Sequence, residues 1–327
     1  MSTLALIIVQ LMNGIQLGVM LFLMASGLTL VFGLMNFINL AHGSFYMIGA
    51  FIASSAVLWT GGFPSALVIA MLGTGLVGLA LELGLLRHLY RKSHLQQVLI
   101  TFGLILVLNE LARIIWGALP VALRIPDFLS GSVEIMSGET YPVYRLAILA
   151  VGLLVALVLY FIINHTRAGM WVRAGASDRV IASAMGVNVG LVFSLLFAFG
   201  AALAGLAGVM AGPILTVQVG MGEPILILSL VVTVIGGIGS VRGAFIASLL
   251  VGIVDTFGRV LLPPALGSMI IFVFMAIFLA YRPPGLFATG PCPWPRPASP
   301  NPSAHIFSSS PCSVACRSCH GPWMTRS

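Results

Sequence analysis

Charge is the scarcest property of this chain. Only 7% of its 327 residues are Asp, Glu, Lys or Arg, against about a quarter in an ordinary soluble domain. A chain folded in water needs a polar exterior. So few charges beside 59% hydrophobic residues cannot supply one. That excludes an ordinary soluble enzyme. It also excludes a disordered chain, which lacks apolar residues rather than charges. Cysteine is missing from residues 1–290, so the body holds neither a disulfide nor a thiolate metal site. Lysine occurs once, as Lys92. There is no Walker-type phosphate loop, so ATP hydrolysis by the chain itself is not expected. Gly236, Gly237 and Gly239 lack dinucleotide-loop spacing, and no Ser/His/Asp or HExxH set occurs. No catalytic residue, resident metal or cofactor is expected.

What the chain has instead is long apolar runs. A helix needs about 20 apolar residues to cross a bilayer. Runs of this kind cover about 5–33, 38–59, 64–86, 95–117, 143–164, 191–215, 224–240, 243–261 and 264–281. Gly-rich junctions widen the count to eight to ten spans. The expected fold is an all-α polytopic transmembrane bundle over residues 1–290. Two polar segments interrupt it, 118–142 with Asp127, Glu134 and Glu139, and 165–190.

The sparse cations sort by side. Arg87, Arg91, Lys92, Arg167, Arg173, Arg179, Arg242 and Arg282 fall on one face, and Arg124, Arg145 and Arg259 on the other. Positive loops stay in the cytoplasm. The 87–94 and 165–190 loops are therefore expected inside, the N-terminus outside and the end of the body inside. A net charge of +7 spread so thinly reads as membrane topology and not as a nucleic-acid surface. The N-terminus has no basic flank and no cleavage site, so no signal peptide is read there.

Acids within the apolar runs have arginines at helical spacing: Glu110 with Arg113 and Asp255 with Arg259, while Glu82 lies about a turn from Arg87. Glu223-Pro224 reads as a helix start. No series of acids is long enough for a proton or sodium relay. Gly14/Gly18, Gly208/Gly212 and Gly239/Gly243 are spaced for close helix packing, inside the bundle or, alternatively, against a second copy. GAFIAS occurs at 49–54 and again at 243–248, a possible internal repeat about the 118–142 loop.

Two stretches carry candidate functional residues. In GLMNFINLAHG (33–43), Asn36, Asn39 and His42 recur every third residue. One reading is a broken or re-entrant helix lining a pathway, since irregular backbone at membrane depth is tolerated only beside protein or water. The other is a short loop at the membrane surface. Spacing does not choose between them. In the 165–190 segment, Ser177 or Asp178 can cap a short helix that Gly186 ends. Val180, Ile181, Ala184 and Met185 share one face, flanked by Arg173 and Arg179. Such a helix lies on lipid or docks in a partner's groove, and its shortness favours the partner.

Residues 291–327 are of another kind. They hold all four cysteines (Cys292, Cys312, Cys316, Cys319), eight of the 18 prolines and three arginines. Cys316-Arg-Ser-Cys319-His320 matches the haem c attachment pattern. It sits on the expected cytoplasmic side, among residues with no apolar period to build a pocket. The segment is read as a disordered or out-of-frame extension.

GLTLVFGLMNFINLAHGSFYMIGAF (27–51), RAGASDRVIASAMGVNV (173–189), VIGGIGSVRGAFIASLLVGIVD (234–255) and YRPPGLF (281–287) together resemble the Liv-type permeases of branched-chain amino acid ABC transporters. The likeness covers 5–287 in order; the tail has no counterpart. It implies an inner-membrane subunit working with a second Liv-type permease, two cytoplasmic ATPases that hold ATP and magnesium, and a periplasmic solute-binding protein. It also implies that 176–186 is the coupling helix, with Ala182, Ala184 and Gly186 in positions resembling the family's loop motif. Asn36, Asn39 and His42 fall in one of its membrane signatures. Relatives with similar motifs carry urea, short amides or other amino acids, and an ion-coupled secondary transporter is the alternative from another class.

Overall fold

The computed structural model describes residues 3–35, 37–90, 92–136, 139–177, 179–267, 269–282 and 285–287. They lie in one compact unit, Met1–Thr289. Asn36, Asp178 and the whole 291–327 segment with its Cys-rich motif fall outside the described residues, as does the side chain of Val180.

In chain order the helices α1 (Thr3–Met35), α2 (His42–Thr60), α3 (Phe63–Gly84) and α4 (His94–Trp116) come first. An antiparallel hairpin follows, β1 (Ser132–Met136) and β2 (Glu139–Pro142), and then α5 (Val143–His165). Two short helices, α6 (Arg167–Ser177) and α7 (Arg179–Ala184), precede α8 (Val189–Ala211). The chain closes with α9 (Gly222–Gly236), α10 (Val241–Leu261), α11 (Pro264–Gly267) and α12 (Ile270–Tyr281).

Seven of these, α1 to α5, α8 and α10, are long and apolar enough to cross a membrane. Their 15 and 12 residues make α9 and α12 only about 22 and 18 Å long, short of the ~30 Å hydrocarbon layer. Where eight to ten spans are expected, the described residues hold seven helices of full length and two shorter apolar ones, nine in all. Gly237 ends α9 with φ of 93°. The last carbonyls of α9 are then taken by a segment about fifty residues on: Leu286 N–H donates to Ile235 at 2.9 Å and Phe287 N–H to Gly236 at 3.2 Å. The polar 118–142 segment holds a hairpin, which its composition did not announce.

At the centre stands α1. Every residue from Gly18 to Val31 is buried, as a helix apolar on all sides must be when proteins surround it. It packs on α5, α8, α9 and α10. The outer helices α3, α4 and α5 expose Leu72, Leu99 and Leu157, which suits lipid and not water. Lipid supplies no hydrophobic force between helices, so close backbone approach must hold them. The glycines provide it. A Cβ on Gly14 would lie 2.9 Å from the Ile253 Cα, and one on Gly18 2.8 Å from the Leu249 Cα, both on α10. Gly208 abuts the Tyr46 backbone, Gly239 abuts Gly33 and Gly243 abuts Gly236. All these spaced glycines serve packing inside the bundle.

The expected charge pairs form. Asp255 is buried and accepts twice from Arg259 Nε, at 2.8 and 2.9 Å. Glu110 meets Arg113 at 3.3 Å. Buried Glu82 lies 3.7 Å from Arg87 and accepts from the Tyr90 hydroxyl at 3.0 Å. The two GAFIAS copies share a local detail: Ser54 and Ser248 each donate to the carbonyl of the phenylalanine three residues back, at 2.8 Å. They begin seven residues into α2 but two into α10, so they are not in step within their helices.

Gly18→Leu should overpack the α1–α10 seam at a cost of about 1–3 kcal/mol or more. Gly103→Leu, at a site with nothing within 4 Å, is the control. Thermal unfolding of the detergent-purified protein should show a lower midpoint for the first alone; equal midpoints would contradict this packing.

Candidate functional site

The helix break falls where the two asparagines and the histidine cluster. α1 ends at Met35, residues 37–41 are non-helical, and His42 opens α2. Asn39 is buried, and its Oδ1 accepts the Ala41 N–H at 3.1 Å. That local bond competes with helix continuation. His42 is fully buried. It sits against α1, where a Cβ on Gly27 would come 3.0 Å from Nε2. Gly27 is eight residues before the end of α1, about 12 Å back along the helix. The chain therefore folds back into the bundle before α2 starts. Asn39 Nδ2 and both ring nitrogens of His42 meet no hydrogen-bond partner among the described residues, nor does the buried Tyr46 hydroxyl one turn on. Buried polar groups are usually paired, so each exception invites a functional reason.

Directly beyond His42 lies a crevice between three helices. Leu40, Gly43, Ser44 and Met47 line it from α2 and the preceding loop, Ile105 and Asn109 from α4, and Gly222, Glu223 and Leu226 from α9. Its floor is a backbone contact, for a Cβ on Gly43 would lie 2.7 Å from the Gly222 carbonyl oxygen. Asn109 Nδ2 donates to Glu223 Oε1 at 2.9 Å. Ile105 is the midpoint of the 23-residue α4, and Asn109 lies four residues further, about 6 Å along the axis. The crevice is thus at half the depth of that span. It is closed in this structure, too narrow to admit a water molecule. Sequence reasoning passed over Asn109 and took Glu223 only as a helix start. The available signal was a lone amide in the middle of an apolar run.

The 165–190 segment holds two helices where one was expected. Thr166 caps the first: its Oγ1 accepts the Gly169 N–H at 3.2 Å. Arg173 is exposed and donates to the Ile163 carbonyl, tying α6 to the end of α5. Gly175 faces the Phe193 ring on α8. Gly186 ends α7 with φ of 86°. Gly186 N–H donates to Ser183 and Val187 N–H to Ala182, at 3.0 and 3.1 Å, the two bonds of a Schellman cap. Ala182 turns inward and is buried, while Ile181 and Met185 are 60% and 81% exposed and Ala184 is exposed beside them.

A bundle of lipid-facing helices, a crevice at half depth and a short apolar helix outside the bundle define a membrane transport subunit. The chain belongs to the branched-chain amino acid transport system / permease component family, whose model matches residues 10–279. It is the permease of an ABC transporter, a multi-pass membrane protein and not an enzyme, and partner ATPase and binding-protein subunits follow from that membership. It is 29% identical over 301 residues to the high-affinity branched-chain amino acid transport system permease protein LivH of Salmonella typhimurium, covering 85% of this chain and 94% of the relative. To the corresponding protein BraD of Pseudomonas aeruginosa it is 30% identical over 291 residues, with the same coverage. The xylose/arabinose import permease protein XylH of Sulfolobus acidocaldarius is 29% identical over 197 residues, 58% of this chain and 52% of the relative. No solved structure matches the chain.

Gly186→Val places a β-branched residue at a left-handed backbone position, a strain of about 1–2 kcal/mol or more. Met185→Asp puts a charge on the exposed apolar face. In the assembled transporter both should lower binding-protein-stimulated ATPase activity and uptake while leaving membrane insertion intact. Normal stimulation in both variants would remove α7 from the coupling path.

Proposed function

We propose that this permease imports branched-chain amino acids, with the energy supplied by its partners. The observation that carries this reading is the crevice at half depth, walled by the aliphatic Leu40, Met47, Ile105 and Leu226 yet holding a carboxylate and an amide. That combination suits a solute with an aliphatic side chain and a polar head. Support comes from the relatives named for branched-chain amino acid transport, which match most of the chain.

In this reading the chain sits in the bacterial inner membrane, with α6 and α7 in the cytoplasm and the N-terminus in the periplasm. It pairs with a second Liv-type permease over two cytoplasmic ATPases, which hold the ATP and magnesium; the chain itself carries no cofactor. A periplasmic binding protein delivers the solute. Arg173, Asp178, Val180, Ile181, Ala182, Ala184 and Gly186 form the coupling segment. ATPase closure displaces α7 with α6, and the push passes as a rigid-body shift into α8, where Gly175 of α6 meets the Phe193 ring. α8 in turn abuts α1 at Gly27 and α2 at Gly49. α2 carries Gly43 and Ser44, so its movement parts the crevice. Asn36, Asn39 and His42 belong to the same path. Residues 291–327 form an extension with no part in transport.

Proteoliposomes holding the complete complex test this. ATP-dependent uptake of leucine and valine is expected, equal for the full chain and for one ending after Gly290. Uptake of urea or a pentose in place of amino acids would overturn the cargo assignment, and gradient-driven uptake without the ATPases would favour a secondary transporter. His42→Ala should lower the leucine rate by roughly fivefold, the worth of about 1 kcal/mol of polar interaction in the path; unchanged kinetics would remove His42 from it.

A further inference from the structure

The acids of the membrane helices are not all alike. Glu82, Glu110 and Asp255 each have an arginine within 4 Å. Glu223 has no cation partner among the described residues. Its carboxylate is held by a neutral amide, Asn109 Nδ2 at 2.9 Å, and remains exposed beside a residue about 6 Å from the midpoint of α4. A carboxylate at such depth is costly unless it faces water or protein and finds a counter-charge. Its place in the first turn of α9 gives it the favourable end of one helix dipole. That half-charge does not explain why the side chain reaches across to a second helix, nor why it borders a crevice whose other side chains are mainly aliphatic.

We infer that Glu223, oriented by Asn109, is the counter-charge for the α-ammonium group of the transported amino acid, while Leu40, Met47, Ile105 and Leu226 receive its aliphatic side chain. The inference rests on the transport reading above and narrows it. A solute without a cationic head, such as a sugar or urea, leaves the carboxylate unpaired at membrane depth and is disfavoured. Three of the four acids in the described membrane helices have an arginine within the chain; the fourth is neutralised by the cargo as it passes. The crevice is closed at rest, so the ammonium meets Glu223 only when α2 and α9 part.

The complete complex in proteoliposomes, with its binding protein and [¹⁴C]leucine, tests the assignment. Glu223→Gln keeps the size and the Asn109 contact and removes the charge. Leucine uptake should fall about tenfold, the worth of one charge-assisted hydrogen bond, while ATPase stimulation by the loaded binding protein persists. Glu223→Asp should restore part of the uptake. Undiminished leucine uptake by Glu223→Gln overturns the proposal. If that variant fails to assemble, Asn109→Leu is assayed, which keeps the carboxylate but frees it; several-fold slower leucine uptake with normal ATPase stimulation supports the proposal, and wild-type uptake overturns it. A wild-type complex that moves a pentose or urea but not leucine overturns the cargo reading itself. A complex that moves leucine regardless of residue 223 overturns only the role of Glu223.

Discussion

Backbone-to-backbone contact at glycine holds this bundle together. In lipid, one apolar surface gains little by leaving hydrocarbon for another, so helices associate through close packing. Gly14 and Gly18 let α10 approach α1 until Cα atoms nearly touch, and Gly27 does the same for α8. The result is a core in which α1 and α2 are the most buried helices, packed on α8 and α10, around which α3, α4 and α5 present leucines outward. Such contacts tolerate no added carbon, so these helices shift as bodies and do not deform. The same device sets the site. Gly43 against Gly222 brings the start of α2 onto the start of α9, and the crevice is what remains beside that contact.

Charge is scarce in the helices, and the paired charges there have a traceable purpose. Asp255 and Arg259 neutralise one another within α10, and Glu82 ties the end of α3 to the following loop through Arg87 and Tyr90. Arg87 also donates to Ser194 on α8 at 2.9 Å, so that loop and the 165–190 segment reach the same helix. In the proposed mechanism, movement imposed at α7 would enter a helix already joined to the core by glycine. α8 touches the 165–190 segment at one end and packs on α2, which lines the crevice.

Much of this was legible in the sequence, because a bilayer imposes a length and an apolar composition that short windows reveal. The nine runs, the three ion pairs, the spaced glycines and the end of α7 at Gly186 all appear where composition and spacing put them. What stayed hidden depends on neighbours distant in sequence. The shortness of α9 follows from Gly237 and from capping by Leu286 and Phe287, fifty residues on. The fold-back at His42 needs the groove beside Gly27. The α6 helix begins after Thr166, a cap whose signal is weakened by Gly169 and Gly175 within the helix it starts. Asn109 and Glu223 are 114 residues apart and gain meaning only as a pair. The coupling assignment came from likeness and pattern together, and the structure adds only that Met185 is exposed.

The claim on which the account turns is that water and solute reach the crevice although it lies at half the depth of a span. The Cys-free body makes this directly measurable once the tail cysteines are changed to serine. Asn109→Cys and Val107→Cys sit within two residues on α4, one facing the crevice and the other exposed on the outer side. Labelling in the assembled, membrane-embedded complex with a charged, membrane-impermeant thiol reagent should modify position 109, at a rate that changes with nucleotide, and spare position 107. Protection of both positions in every nucleotide state would contradict a pathway through this crevice.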